Sequence, residues 1–357
     1  LMNKGYILTL LNSSDPLEKL RALKLIREEG LYDLAETMVE MLKRENDEMI
    51  IETIVDTLKE FNVPEVSQKV VTLFDEKELY LKDLAVLILT HHYKAAIPVL
   101  REKLKSNDKH QRKLALDALI LMNKPELVDT IAVALEDDEV NNVIAAVEAI
   151  GALEGEKYAS KILDILRNTE DSFLKMTCLE VLTKIGNEII FKEVNILFPE
   201  PSTLPEFLLV PYLKLATKFP YRDYLAVLLE LMKEKGQELH REVMELAESY
   251  IKTNKELTGK EKKSLCAALW QLHDSNIPPM SKYEILRLVG TVKCDYFEDR
   301  LISLLQSEDL FEQIGAIEAL VALKTQRAIK AIEDAISKAS SPEFREIARE
   351  AIKKVSE

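Results

Sequence analysis

Three stretches of this chain read alike: QRKLALDALILMN at 111–123, NVIAAVEAIGALE at 142–154 and LKMTCLEVLTKIG at 174–186. In register, Ala115, Ala146 and Cys178 align, at spacings of 31 and 32 residues. Behind them align Leu116, Val147 and Leu179, then Leu119, Ile150 and Leu182, then Met122, Leu153 and Ile185. Offsets of one, four and seven lie on one side of an α-helix, so each stretch predicts a helix with one apolar stripe. The small residue at its head lets a neighbouring helix approach closely. A period of this length is the mark of stacked supersecondary units.

The register runs backward to Ala85, Ile54 and Ala22, returns at Ala316 with Ile317, Leu320 and Leu323, and closes at Ala348 with Ile352 and Val355. A polar turn precedes each such helix, for example Asn12-Ser13-Ser14-Asp15-Pro16, Glu45-Asn46-Asp47, Ser106-Asn107-Asp108 and Ser307-Glu308-Asp309. Short oxygen-bearing side chains there can accept the orphan N–H groups that open a helix. The unit is therefore a shorter helix, an Asx or Ser turn, and a longer helix.

The turn Asp, the pattern Ala115-Leu116-Asp117-Ala118-Leu119 (repeated as Ala146-Val147-Glu148-Ala149-Ile150) and Gly151 or Gly186 near the helix end resemble the HEAT-repeat family. The likeness is greatest to the short repeats named after phycobilisome lyases, and it covers residues 7–186 and 294–357. It implies an all-α fold, an α-solenoid of about eleven antiparallel helical hairpins of about 32 residues each. It also implies a scaffold that holds a protein or peptide on a concave face lined by the second helices. The lyase subfamily adds an alternative, cofactor attachment or pigment handling, and a purely structural assembly element is a third.

Between Cys178 and Ala316 the register weakens. Pro199, Pro201, Pro205, Pro211 and Pro220 crowd this part, among Phe198, Phe207, Tyr212, Phe219, Tyr221 and Tyr224. Proline fixes loops and interrupts helices, so a loop is expected at 199–205 and helices near 206–219, 221–236 and 238–254, with a kink at Pro211. The chain then divides into regular repeats at 1–189, longer irregular ones at 190–293, and repeats with a cap at 294–357. The aromatics have two readings. They fill the core where the stack bends, or Phe207, Tyr212, Tyr221 and Tyr224 are partner-binding anchors, since such side chains bury large area with few rotors. Trp270 beside Pro278-Pro279 reads as core.

Hydrophobic residues at 47% exclude a disordered chain. A net charge of −14 opposes nucleic-acid binding, which draws on phosphate neutralisation. It is compatible with a basic protein partner. The densest basic run is Lys260, Lys262 and Lys263, broken by Glu261. Cys178, Cys266 and Cys294 are too scattered for a C-x-x-C motif and read as three small core residues in a reducing compartment. No apolar run approaches the ~20 residues of a membrane span, and Tyr6–Leu11 is too short for a signal peptide. A cytoplasmic protein without cofactor is expected.

No catalytic motif emerges. Thr258-Gly259-Lys260-Glu261 departs from a phosphate-binding loop at Asn254 and Glu261 and reads as a helix start. The five histidines show no metal-ligand spacing, and neither the His-Glu dipeptides of HEAT-fold di-iron hydroxylases nor a Gly-x-Ser-x-Gly turn occurs.

One pattern suggests a surface. Two residues beyond the small residue stand Asp56, Leu87, Asp117, Glu148, Glu180 and Glu318, with Lys24 in the first repeat. This position faces away from the apolar stripe. It is either an ordinary solvated face or a row of carboxylates that attracts Lys and Arg of a partner.

Overall fold

The computed structural model describes residues 3–356 and is built from twenty-two α-helices, joined by turns and short 3-10 segments. They fall into eleven consecutive pairs. In chain order these are α1 (Lys4–Leu11) with α2 (Pro16–Glu29), α3 (Ala35–Leu42) with α4 (Glu48–Glu60), α5 (Pro64–Val70) with α6 (Leu79–His92), and α7 (Ile97–Lys103) with α8 (Lys109–Met122). Then come α9 (Val128–Ile131) with α10 (Val140–Ala152), α11 (Ala159–Asn168) with α12 (Ser172–Ile185), and α13 (Glu188–Leu197) with α14 (Glu206–Lys218). The last are α15 (Leu225–Lys235) with α16 (His240–Thr253), α17 (Gly259–His273) with α18 (Pro279–Val292), α19 (Glu298–Leu304) with α20 (Leu310–Leu323), and α21 (Gln326–Lys338) with α22 (Pro342–Ser356). Among the described residues there is no strand.

One rule positions all eleven pairs. The seventh residue of each even-numbered helix is fully buried: Ala22, Ile54, Ala85, Ala115, Ala146, Cys178, Tyr212, Leu246, Ile285, Ala316 and Ala348. The first six and last two are the residues that carry the sequence register. Tyr212, Leu246 and Ile285 continue it with bulkier side chains. There the even-numbered helices start 34, 34 and 39 residues apart (172 to 206, 206 to 240, 240 to 279). The weak register of the middle is thus the same repeat with larger filling and longer links. Pro211 is buried inside α14, which runs on through it.

The caps are as elementary chemistry dictates. The Asp15, Asp47, Asp108 and Asp309 carboxylates each accept the N–H of the residue two positions on, at 2.8–3.0 Å. Thr258 and Glu261 form a reciprocal capping box at the start of α17, so the Thr-Gly-Lys-Glu segment is a helix N-terminus as read.

The chain forms two compact units, one of residues 1–162 with 169–177, the other of 163–168 with 178–357. In the first, α2, α4, α6, α8 and α10 pack in succession, as do α3, α5 and α7. In the second, α14, α16, α18, α20 and α22 do the same. The approach of α18 to α20 is close enough that a Cβ on Gly290 would lie 2.7 Å from the Ala319 Cα, so only glycine fits there.

Polar groups pin successive repeats in the first unit. Arg112 reaches forward from α8 to the turn before α10, where its Nε and Nη2 donate to both oxygens of Asp137 at 2.9 and 3.0 Å. Burial disfavours the Asp137 charge, but Arg112, the Glu139 N–H and Asn142 outweigh it and hold the carboxyl below its ordinary range. His92 is fully buried. Its Nε2 is 2.6 Å from the Leu58 carbonyl and its Nδ1 2.8 Å from Ser67 Oγ. A neutral ring that donates to Leu58 and accepts from Ser67 satisfies both contacts.

The cysteine reading needs correction. Cys266 in α17 and Cys294 just after α18 are joined by a disulfide, with Cα atoms 5.7 Å apart, while Cys178 is free and buried. Residues 28 apart in sequence are brought together because α17 and α18 fold back on each other. Disulfides persist in oxidising compartments and inside hyperthermophiles, so cysteine usage does not point to a reducing compartment.

This packing makes two outcomes measurable. Burial holds the His92 pKa below its ordinary 6.5, against the Leu58 carbonyl, which favours the charged ring. The unfolded chain therefore takes up this proton first, and the stability due to neutral His92 is complete above about pH 6.5 and declines as pH falls below it. His92→Phe should cost about 1–3 kcal/mol at pH 7.5 by leaving Leu58 and Ser67 unpaired, and the gap from wild type should narrow at pH 5. Urea titrations at both values test this, and a constant gap would show that His92 does not titrate there. Reducing the disulfide, or replacing it with Cys266→Ala and Cys294→Ala together, should cost about 3 kcal/mol by chain entropy. Amide exchange should accelerate in α17 and α18 before α2–α6, and uniform acceleration would refute a local role.

Candidate interaction surface

The residue whose N–H is held by the Asp cap is the second residue of the even-numbered helix. At Leu17, Met49 and Phe311 that residue is a large apolar side chain. The same position holds Tyr80, Phe173, Phe207 and Met280. All seven are exposed, by 44% to 74%. His110, Asn141, Arg241 and Glu343 fill the position in the other four repeats. Position two is five residues before the buried seventh, half a helical turn out of phase with it, so a side chain there has no core to enter. The cap fixes the backbone and the side chain is left in solvent. In the first unit Leu17, Met49 and Tyr80 come from three successive packed helices, α2, α4 and α6. In the second unit Phe207, Met280 and Phe311 stand on α14, α18 and α20.

The carboxylate row lies seven residues further along, two turns away on the same side. In the first unit Asp56 is half-exposed and lies 3.5 Å from Lys59, Asp117 pairs with Lys113 at 2.8 Å, and Glu148 is exposed. Glu180, in the second unit, is also exposed. The rest of the second unit does not continue a single sign. The equivalent positions are Lys214, Glu248, Arg287 and Glu318. Arg287 donates to Glu248 at 3.0 Å across the α16–α18 contact, and the Tyr283 hydroxyl donates to Glu318 at 3.0 Å. Lys252 and Arg287 hold the Glu248 carboxyl below its ordinary range, with burial opposing them. A cavity of about 470 Å³ opens beside this pair, lined by residues that include Arg241, Met244, Glu245, Met280 and Glu284.

The aromatic anchors are in part corrected. Tyr212 and Tyr224 are fully buried. Their hydroxyls are 3.0 Å apart, and Tyr212 also donates to Asn195 Oδ1 at 2.9 Å. The Asn195 amide in turn donates to the Tyr221 hydroxyl at 2.9 Å. Phe191 packs between the Tyr212, Tyr221 and Tyr224 rings, 5.2–5.9 Å from each centroid. These tyrosines bury their rings against Phe191 and satisfy their hydroxyls through Asn195 and each other. Burial pushes the Tyr212 hydroxyl well above its ordinary value and does the same for Tyr224. Tyr221 is half-buried with Lys192 over its ring, and Phe207 is exposed. Trp270 is core as expected, flanked by His273 and Phe297, with Arg300 stacked 4.4 Å over its ring.

Apart from Phe207, which was read as an anchor, the apolar residues at position two escaped the reading of the sequence, although a signal was present. Each stands on the side of the helix opposite the stripe, where an apolar residue has no structural use. Among the described residues no group of three or more His, Cys, Asp or Glu could hold a metal ion, and no helix is long and apolar enough to cross a membrane.

Known proteins share this architecture. Residues 97–183, from α7 into α12, match the family of HEAT repeats. No curated protein matches. Among solved structures, a chain from the complex in which Kap95p binding induces the switch loops of RanGDP to adopt the GTP-bound conformation is similar over 96% of this chain, at 12% identity and a TM-score of 0.61. This chain spans 55% of that one. The crystal structure of an engineered protein aligns over the full length of both chains, at 17% identity and a TM-score of 0.36. Residues 97–183 thus carry HEAT repeats, and the same helix pair recurs from α1 to α22 as an all-α solenoid.

Proposed function

We propose that this chain is a non-enzymatic scaffold that holds a protein or peptide against the exposed face of its even-numbered helices. The observation that carries this reading is the row of exposed apolar side chains at position two, three of them, Leu17, Met49 and Phe311, on a backbone fixed by an Asp cap. Scattered surface hydrophobics are normal in any soluble domain, but a row set by the repeat itself is a contact surface.

Packed helices lie about 8–10 Å apart. A partner that met Leu17, Met49 and Tyr80 in turn would offer apolar side chains at about that interval. An amphipathic helix does so every seventh residue, at about 10.5 Å. Asp56 stands two turns from Met49 on α4, and Asp117 and Glu148 follow on α8 and α10, so the surface favours a partner whose Lys or Arg residues lie beside and beyond its apolar ones. Stacked repeats suit such a partner because each adds one more contact along a line. The similar chain from the Kap95p–RanGDP complex comes from one protein bound to another.

Two experiments test this. Met49→Ser with Tyr80→Ser should leave the thermal melt within a few degrees of wild type while reducing the yield of co-purifying protein about tenfold. Leu121→Ser, at an exposed position elsewhere on α8, is the control. An unchanged prey profile would remove the apolar row from the interface. Reversing Asp56, Asp117 and Glu148 to Lys should weaken capture severalfold at low salt and abolish its salt sensitivity. If both stay as in wild type, the carboxylates are only a solvated face.

A further inference from the structure

A second site of opposite sign lies in the second unit, between the ends of α16 and α18 and the start of α17. A cavity of about 650 Å³ is lined by Lys252, Lys255, Lys262 and Lys293, with Ile251, Leu257 and Val292 as its apolar part and Asn254 and Thr291 completing it. No carboxylate lines it. The chain as a whole carries fourteen more acidic than basic residues, so four ammonium groups around one acid-free cavity run against its composition. Lys252 pairs with Glu248 at 2.9 Å. Lys255, Lys262 and Lys293 enter none of the ion pairs among the described residues.

Helix electrostatics account for two of the four. Lys252 is in the last turn of α16 and Lys293 caps the end of α18, where a cation is favoured by the helix dipole. They do not account for the others. Lys255 lies in the link between helices. Lys262 opens α17 together with Lys260 and Lys263, at the helix end where cations are disfavoured. The negative group there, Glu261, is already engaged by Arg222 and by the capping box. Lys255, Lys262 and Lys293 are thus gathered around a cavity with no ion-pair partner among the described residues, beside a fourth lysine held by Glu248.

We propose that this cavity binds an anion bearing two or more phosphate groups. Its volume is that of a small-molecule site. Lysine binds phosphate as a mobile point charge, and clustered phosphates supply several negative charges within such a space. A carboxylate ligand would need several separate side chains to do the same. The phosphates come either from a soluble polyphosphate or from the headgroup of a phosphorylated lipid.

The test uses the full chain with sodium tripolyphosphate by calorimetry, and with phosphatidylcholine vesicles with and without a phosphoinositide bisphosphate by sedimentation. Wild type should bind tripolyphosphate, more weakly as salt rises. The triple variant K255Q/K262Q/K293Q should lose about tenfold or more in affinity, while K24Q/K184Q/K330Q, with as many lysines removed elsewhere, should lose less than about twofold. Vesicle binding that needs the phosphoinositide and fails in the triple variant assigns the lipid source, and binding of tripolyphosphate alone assigns the soluble one. If circular dichroism shows the triple variant unfolded, K262Q alone, with an expected loss of about threefold, carries the comparison. The proposal is overturned if neither probe binds wild type, or if the cavity variant and the control variant bind alike.

Discussion

Burial of the seventh residue of each even-numbered helix is the constraint from which the other features of the stack take their positions. That residue has no exposed surface in any of the eleven repeats. Fixing it fixes the helix phase, because the stripe at offsets of one, four and seven must follow it inward. The opposite side is then fixed as well. Positions two and nine cannot reach the core in any repeat, and whatever occupies them is shown to solvent at regular intervals. A line of solvent-facing positions along the even-numbered helices of each unit is therefore a consequence of the core rule. Its chemistry is free to vary, since the core does not depend on these residues.

The two units use that freedom differently. In the first, position nine carries Lys24, Asp56, Leu87, Asp117 and Glu148, and the acids pair mainly within their own helices. Such exposed i,i+3 and i,i+4 pairs contribute little and leave the net field negative. In the second, opposite charges meet between repeats, as Glu248 and Arg287 do. The same register position is thus a field in one unit and a staple in the other. A count of acidic residues along the sequence does not separate these cases, because the difference lies in which neighbour the side chain reaches.

Most of the fold was legible because its signals are local. The stripes at Ala115, Ala146 and Cys178 and the cap residues Asp15, Asp47, Asp108 and Asp309 declare helix phase and helix start within a dozen residues. The expected helices near 206–219, 221–236 and 238–254 differ from the observed ones by a few residues at their ends, chiefly where short 3-10 turns intervene. What was not legible is non-local. Cys266 and Cys294 pair because two helices fold together, and nothing in their spacing says so. Tyr212 and Tyr224 could be surface anchors or core by composition alone. The burial of Tyr212 is that of every seventh residue of an even-numbered helix, and Tyr224 is carried inward with it, its hydroxyl 3.0 Å from that of Tyr212. The apolar residues at position two are an intermediate case. Their phase could be read, but an exposed Leu or Met is ordinary until several fall at one position of the repeat.

The regular repeats and the irregular ones differ in the surfaces they present. A constant period produces a constant surface, suited to a long partner that makes the same contact several times. Its cavities are clefts between neighbouring repeats, of about 420–460 Å³ at residues 32–69 and 125–157. The step from α16 to α18 is the longest in the chain, and it is there that the period is broken. α17 is a 15-residue helix where α3, α5, α7 and α19 have seven or eight, and the link at 254–258 is held to the preceding repeat by Arg222, which donates to the Glu256 carbonyl at 2.7 Å. The cavity at this link differs from those of the short repeats in its lining: Asp33, Glu36 and Glu65 line one of those and Glu126 and Asp129 another, whereas the lysines at 252, 255, 262 and 293 surround this one without a carboxylate. The disulfide from Cys266 to Cys294 ties the same two helices, α17 and α18, whose ends form its walls. A covalent tie there opposes the loosening that a longer link and four like charges would otherwise produce, so the one place where the stack departs furthest from its rule is also the place where it is cross-linked.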